Sequence, residues 1–469
     1  MKGKKKIASI LACAMLLSAA PVEAMAYTVP DTVRVGLESV CKNVASASIG
    51  VWELQIGMQK GDGFQRGGVI TSSGLFTARP AVGDYIAVDK TMDCADALDM
   101  ANDMKKSGLD TYAAYLSGGD WTVYVKDASV SAVEAAADEN ASRASFEGVA
   151  ITGGEAPVLV PENAVMMGGN VADTFKLNSM PYRGMLTFSV NGSSMTGVNI
   201  IGLEEYLYGV VPSEMPKSYD AEALKAQAVI LRSGFYEKLD HDRKTIFTDD
   251  FYSMEELEQE WGEKTETCKD NLKRAVQETD QMILQYQDQY VMLPYHKLSA
   301  GKTRSGQEVF GGESYPYLPA RDCPKDLEAK EQLQECVLPY HKVKEKCRKF
   351  LTAVENPEET KEDKKATFDD FEIQGTDAAG YVTTVRIGQA TCTGEEFREA
   401  LELPSSHFSF QEQKGKLQIT SGGIGHGVGI SQYTANQMAK EGKGYEEILQ
   451  YFYEGAQLKD GGEIFLKLE

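Results

Sequence analysis

Seven cysteines follow an N-terminal segment that reads as an export signal, and this combination constrains the fold more than any other feature of the chain. Lys2, Lys4, Lys5 and Lys6 form a positive start, residues 7–20 an apolar run, and Ala24-Met25-Ala26 a small-x-small cleavage site. Cleavage near Tyr27 is expected; a retained segment would instead act as an N-terminal anchor. No other apolar stretch is long enough to cross a membrane. Cys41, Cys94, Cys268, Cys323, Cys336, Cys347 and Cys392 are odd in number and few for an exported chain of 469 residues. Stability must then come from a hydrophobic core rather than a disulfide framework. A hydrophobic content of 42% with 25% charged residues supplies that core and excludes wholesale disorder. The length allows two or three domains. A net charge of −22 argues against nucleic acid and anionic membrane as partners, since both require a basic surface. Cys323, Cys336, His341 and Cys347 cluster in sequence, but their spacing fits no common zinc pattern. A disulfide or free thiols are expected there, with no metal and no cofactor.

Residues 27–145 read as a small α+β module. Ala97, Met100, Ala101 and Met104 keep a helical period, and Gly108 suits a C-cap. Thr111 to Leu116, a Gly-Gly-Asp turn and Trp121 to Val125 form a hairpin by composition, and a second helix follows from Val130 to Ala137. This order resembles the SPOR repeat, a domain that binds peptidoglycan glycan strands stripped of their stem peptides. The alternative is a generic α+β module whose aromatics are core. Residues 146–469 make the main domain. It opens with a hairpin from Arg183-Gly184 through 186–190 to 195–201, whose Asn191-Gly192 pair suits a type I′ turn. A charged stretch at about 321–365 reads as a solvated insertion with a helix or two.

Three segments carry candidate chemistry. In the first, Glu214 stands between Pro212 and Pro216 on a stiffened loop beside Val211 and Met215, a setting suited to a general acid. Asp220 is an N-cap for a helix whose Leu224, Ala228, Leu231 and Phe235 form the apolar stripe, with Lys225 and Arg232 on another face. In the second, Ser299, Gly301 and Thr303 offer small and hydroxyl groups to an approaching polymer, and Tyr317 follows. In the third, five glycines from Gly422 to Gly429 surround His426 and precede Gln432. No phosphate-loop lysine follows them. Taken singly, each segment also reads as an ordinary surface turn.

Together and in this order, the segments closely resemble the SpoIID family of sporulation proteins. The resemblance rests on Tyr182-Arg183-Gly184, on Glu205 through Pro216, on Glu222 through Val229, on Gly301-Lys302-Thr303, on Pro316-Tyr317-Leu318 and on Gly425 through Tyr433. It implies an α+β domain with antiparallel strands around 182–210 and near 380–420, and amphipathic helices at 220–238 and 430–455. It also implies a lytic transglycosylase that cleaves denuded glycan strands between N-acetylmuramic acid and N-acetylglucosamine. Glu214 falls on the family's catalytic acid. Lys225 and Arg232 would line the glycan groove, with Thr303 and Tyr317 opposite, while His426 and Gln432 support the site. Departures are Leu231-Arg232-Ser233-Gly234-Phe235, where the family usually continues Ala-Arg-Thr-Tyr, and Leu298-Ser299-Ala300-Gly301 in the second block. The zinc of some clostridial relatives is not carried over, because His241 has no cysteine until Cys268. Relatives also include amidase enhancers, so a non-catalytic activator of a cell-wall amidase stands as the alternative. The expected location is secreted or at the cell surface, among sporulation wall proteins.

Overall fold

A computed structural model describes residues 32–60, 63–116, 118–169, 174–216, 218–242, 245–248, 257, 261–312, 314–351 and 366–461. The expected export segment lies outside them. The chain divides into one unit holding Asn43–Thr196 and another holding Pro30–Lys42 with Gly197–Glu469. The division thus falls at 196/197. Residue 145, the expected boundary, lies inside the strand Ala141–Gly154.

The first unit is built on the 26-residue strand Gly63–Val88. It pairs antiparallel with Glu53–Lys60 and with Ala141–Gly154. The helices Cys94–Lys106 and Val130–Ala137 start on Asp93 and Ser129, whose side chains accept from the amides of Asp96 and Ala132. Such caps satisfy amides that the first turn leaves unpaired. Between the helices run the antiparallel strands Asp110–Tyr115 and Trp121–Lys126. Trp121 is fully buried and its indole N–H donates to the Gly67 carbonyl at 2.9 Å. Tyr115 is buried against it, so these two aromatics are core side chains rather than a glycan-facing surface. Where a turn at Asn191-Gly192 was expected, one strand runs to Asn191 and the next starts at Ser194. Gly192, at φ +60°, takes the first turn position in place of Asn191, because glycine enters that region without a Cβ penalty.

In the second unit Thr32–Gly36 lies antiparallel to residues 198–202 and parallel to Ile246–Thr248. The chain from Leu203 to Glu214 is a helix, where strands around 182–210 were expected. Leu203, Tyr206, Leu207, Val210 and Val211 recur at helical spacing and are all buried. Pro212 sits in the last turn of this helix, where it supplies no amide to the carbonyl four residues earlier. Asp220 caps the helix Ala221–His241 as expected, accepting from the Glu222 amide at 3.0 Å. That helix, Thr265–Gln277, Gln432–Lys440 and Tyr445–Phe452 share one core with the Leu203–Glu214 helix. A second core belongs to a lobe of two three-stranded sheets, Leu333–Leu338 with Phe408–Gln413 and Lys416–Gly422, and Phe371–Thr376 with Val382–Ile387 and Ala390–Thr393. Tyr340, Val343 and Cys347 are buried in that core, so much of the expected solvated insertion is structural; residues 352–365 lie outside the described set. Mixed helices and strands make the chain α+β. No described helix is long and apolar enough to cross a membrane.

Candidate active site

The glycine-rich segment organises the site. Gly423, Gly425, Gly427 and Gly429 have φ of +80°, +109°, +79° and +71°. Each also lies where a Cβ would collide: 2.8 Å from the Leu298 carbonyl, 2.7 Å from His296 Cβ, 2.6 Å from the Tyr381 ring and 1.9 Å from the Pro294 carbonyl. Glycine is therefore required twice over, for the left-handed backbone and for close approach to the 294–300 segment at Gly423, Gly425 and Gly429 and to Tyr381 at Gly427. Leu298 and Ile424 exchange backbone hydrogen bonds, and Tyr295-His296 pairs in parallel with Ile430-Ser431.

This stack brings Tyr295 and Gln432 to Glu214. Glu214 is the last residue of its helix and is exposed, rather than set in a buried apolar loop. The Tyr295 hydroxyl donates to its Oε2 at 2.8 Å. Gln432 Nε2 donates to the Glu214 backbone carbonyl at 2.7 Å and to Gln227 Oε1 at 3.2 Å. Gln227 Nε2 is buried without a partner. Burial, together with the charge of Glu214, pushes the Tyr295 phenol well above its usual range, so it stays a proton donor. His296 is buried, with Nδ1 3.1 Å from the Val428 carbonyl and Nε2 unpartnered. Burial, reinforced by the neighbouring His426, lowers its pKa to about 3. Burial likewise lowers His426, whose Nδ1 accepts from the Val428 amide at 3.1 Å.

The remaining expected site residues are placed in protein contacts. Lys225 is buried between Glu222 and Glu278, at 2.6 and 2.5 Å. Burial alone would lower its pKa, but the two carboxylates outweigh that and raise it. Arg232 is fully buried, with Nε and Nη2 each 2.6 Å from Glu204 and Nη1 2.9 Å from the Met282 carbonyl. The Thr303 hydroxyl accepts from the Arg321 amide at 2.8 Å, and Tyr317 donates to the Met292 carbonyl at 3.0 Å; both are buried. The structure therefore brings Glu214 and Gln432 together, whereas Lys225, Arg232, Thr303 and Tyr317 are spent on protein partners, Arg232 meeting Glu204 at the opposite end of the helix that ends in Glu214.

Sequence reasoning missed Tyr295, Gln227 and Asp326. Asp326 is fully buried and accepts from the Ser299 amide, Ser431 Oγ and Thr434 Oγ1 at 2.8, 2.7 and 2.6 Å, tying the second and third segments together. Tyr295 carried a signal, a tyrosine adjoining the second segment after Pro294. Asp326 carried none, sitting inside a run read as solvated charge. All seven described cysteines are free thiols; Cys323 lies in the main core and Cys347 in the lobe core. Among the described residues no three His, Cys, Asp or Glu side chains gather as a metal site.

The SpoIID profile, described as Stage II sporulation protein, matches residues 191–286. Stage II sporulation protein D of Bacillus subtilis (strain 168) is 33% identical over 282 residues, which cover 58% of this chain and 78% of that protein. The chain belongs to the SpoIID family. Stage II sporulation protein D of Bacillus amyloliquefaciens is 28% identical, over 59% of this chain and 79% of that protein. The Amidase enhancer of Bacillus subtilis (strain 168) is 27% identical, over 54% of this chain and 40% of that protein. Within the SpoIID profile match fall Glu214, Lys225 and Arg232; Tyr295 and the glycine-rich segment lie beyond it.

Proposed function

We propose that this SpoIID protein is a lytic transglycosylase of denuded peptidoglycan glycan strands, with Glu214 as its single acid and base. The observation that carries the reading is an exposed glutamate whose carboxylate is held at Oε2 by Tyr295 and whose backbone carbonyl is held by Gln432. Most glycosidases pair two carboxylates because one must activate water or attack the sugar. Here the substrate supplies the nucleophile. Glu214 gives its proton to the oxygen bridging N-acetylmuramic acid and N-acetylglucosamine, and that bond to the muramic C1 breaks. The muramic C6 hydroxyl oxygen bonds to C1, and its proton returns to the Glu214 carboxylate. The product ends in 1,6-anhydro-muramic acid. Lys225, Arg232, Thr303 and Tyr317 brace the elements that carry Glu214 through their buried contacts, and His426 braces Tyr295. Peptidoglycan glycan is the partner, in sporulation wall remodelling outside the cytoplasm. A SPOR-like glycan-holding role for the first unit would rest on surfaces other than Trp121 and Tyr115.

The alternative is an activator of a cell-wall amidase, favoured by the similarity to an amidase enhancer. Digestion of glycan strands freed of stem peptides, read by mass spectrometry, separates the two. Anhydro-muramic ends that disappear with Glu214→Gln support the enzyme. Reducing ends carrying added water would make it a hydrolase. Glycan binding without cleavage, with a faster amidase alongside, would establish the activator.

A further inference from the structure

Tyr295 is fixed in place before any substrate arrives. Its backbone pairs with Ile430, and Gly429 leaves room for the Pro294 carbonyl beside it. His426 also hydrogen-bonds the Tyr295 backbone. A phenylalanine would fill the same half-buried space, so the hydroxyl serves the bond to Glu214. Tyr295 is the titratable side chain that hydrogen-bonds the Glu214 carboxylate. Gln432 and Gln227 bring amides only, Lys225 is turned to Glu222 and Glu278, and His296 and His426 behind Tyr295 are held neutral.

We propose that Tyr295 is the positioning residue of the site: its hydroxyl holds Oε2 of Glu214, so that Oε1 alone delivers and recovers the proton. This rests on the transglycosylase reading. A hydrogen bond donated to a carboxylate favours the charged form. Its loss favours the protonated form, which is the form a general acid needs.

The test compares the full chain with Tyr295→Phe in two measurements. The first is the pH profile of anhydro-muramic release from stripped glycan strands. The second is the titration of the Glu214 carboxylate by carbon-13 NMR, assigned with Glu214→Gln. In Tyr295→Phe the alkaline limb and the titration midpoint both move up, as the loss of a hydrogen bond donated to the carboxylate requires. The maximal kcat falls while KM stays. Tyr295→3-fluorotyrosine, a stronger donor of the same shape, moves the midpoint the other way. An unmoved midpoint in both variants overturns the proposal, as does a loss of glycan binding without a shift. If the wild type releases no anhydro ends, the transglycosylase reading falls, and the carbon-13 titration still decides whether Tyr295 holds Glu214.

Discussion

Replacing Glu204 by glutamine tests whether Arg232 is structural or ligand-facing. Arg232 has no exposed surface, and Glu204 receives it bidentately at 2.6 and 2.6 Å. The pair ties the helix that ends in Glu214 to the helix Ala221–His241, and the Met282 carbonyl adds the strand Met282–Gln285. Removing one partner of a buried ion pair costs about 3–5 kcal/mol, because the other charge stays buried and uncompensated. The Glu204 side chain is 31% exposed, so water relieves part of that and about 3 kcal/mol is expected. Arg232→Met costs less, since Glu204 can rehydrate. The double variant Glu204→Gln/Arg232→Met costs less than the sum, with a coupling of about 2 kcal/mol. Amide exchange of the Ala221–His241 helix reads these free energies locally. Binding of stripped glycan strands is measured on the same samples. A cost below about 1 kcal/mol for Glu204→Gln, or an additive double variant, refutes the structural assignment. So does a loss of glycan affinity in Arg232→Met with the helix equally protected.

Gly429→Ala places a Cβ 1.9 Å from the Pro294 carbonyl at a φ of +71°. A loss of about 3 kcal/mol or more is expected in urea denaturation; an unchanged midpoint would mean the loop relaxes freely. Asp326→Asn removes the charge from three hydrogen bonds and should cost about 2–3 kcal/mol. Its urea midpoint checks this. His296 titrates near 3 when folded and near 6.5 when unfolded. Between those values the unfolded chain binds more protons, so stability is full above about 6.5 and falls as pH drops toward 3. The share lost between pH 7 and pH 5 is about 2 kcal/mol, and His296→Gln should flatten that part of the pH–stability curve. A variant curve parallel to the wild type would contradict the neutral, buried assignment.

The local elements were legible where one short-range rule governs them. Asp220 announced its helix because a side-chain cap acts within three residues. The glycine run announced a loop that no side chain could enter. The Leu203–Val211 helix was hidden in plain view: its apolar spacing is helical, but the prolines at 212 and 216 drew attention to a loop. The insertion was misjudged because charge dominates its composition, while Tyr340, Val343 and Cys347, the side chains that enter the core, are sparse. Motif order alone identified Glu214 as the group of interest. What surrounds Glu214 was settled only by folding. Tyr295 and Gln432 come from segments 81 and 218 residues away, and no local pattern encodes a contact of that kind. The same holds for Arg232, whose position on a helix face left open whether it met a ligand or a carboxylate. Sequence determined which residues carry charge and where helices begin, because those depend on neighbours along the chain. Tertiary structure decided which charges are spent on each other and that Glu214 is left exposed with a phenol on one oxygen, because burial and pairing depend on neighbours in space.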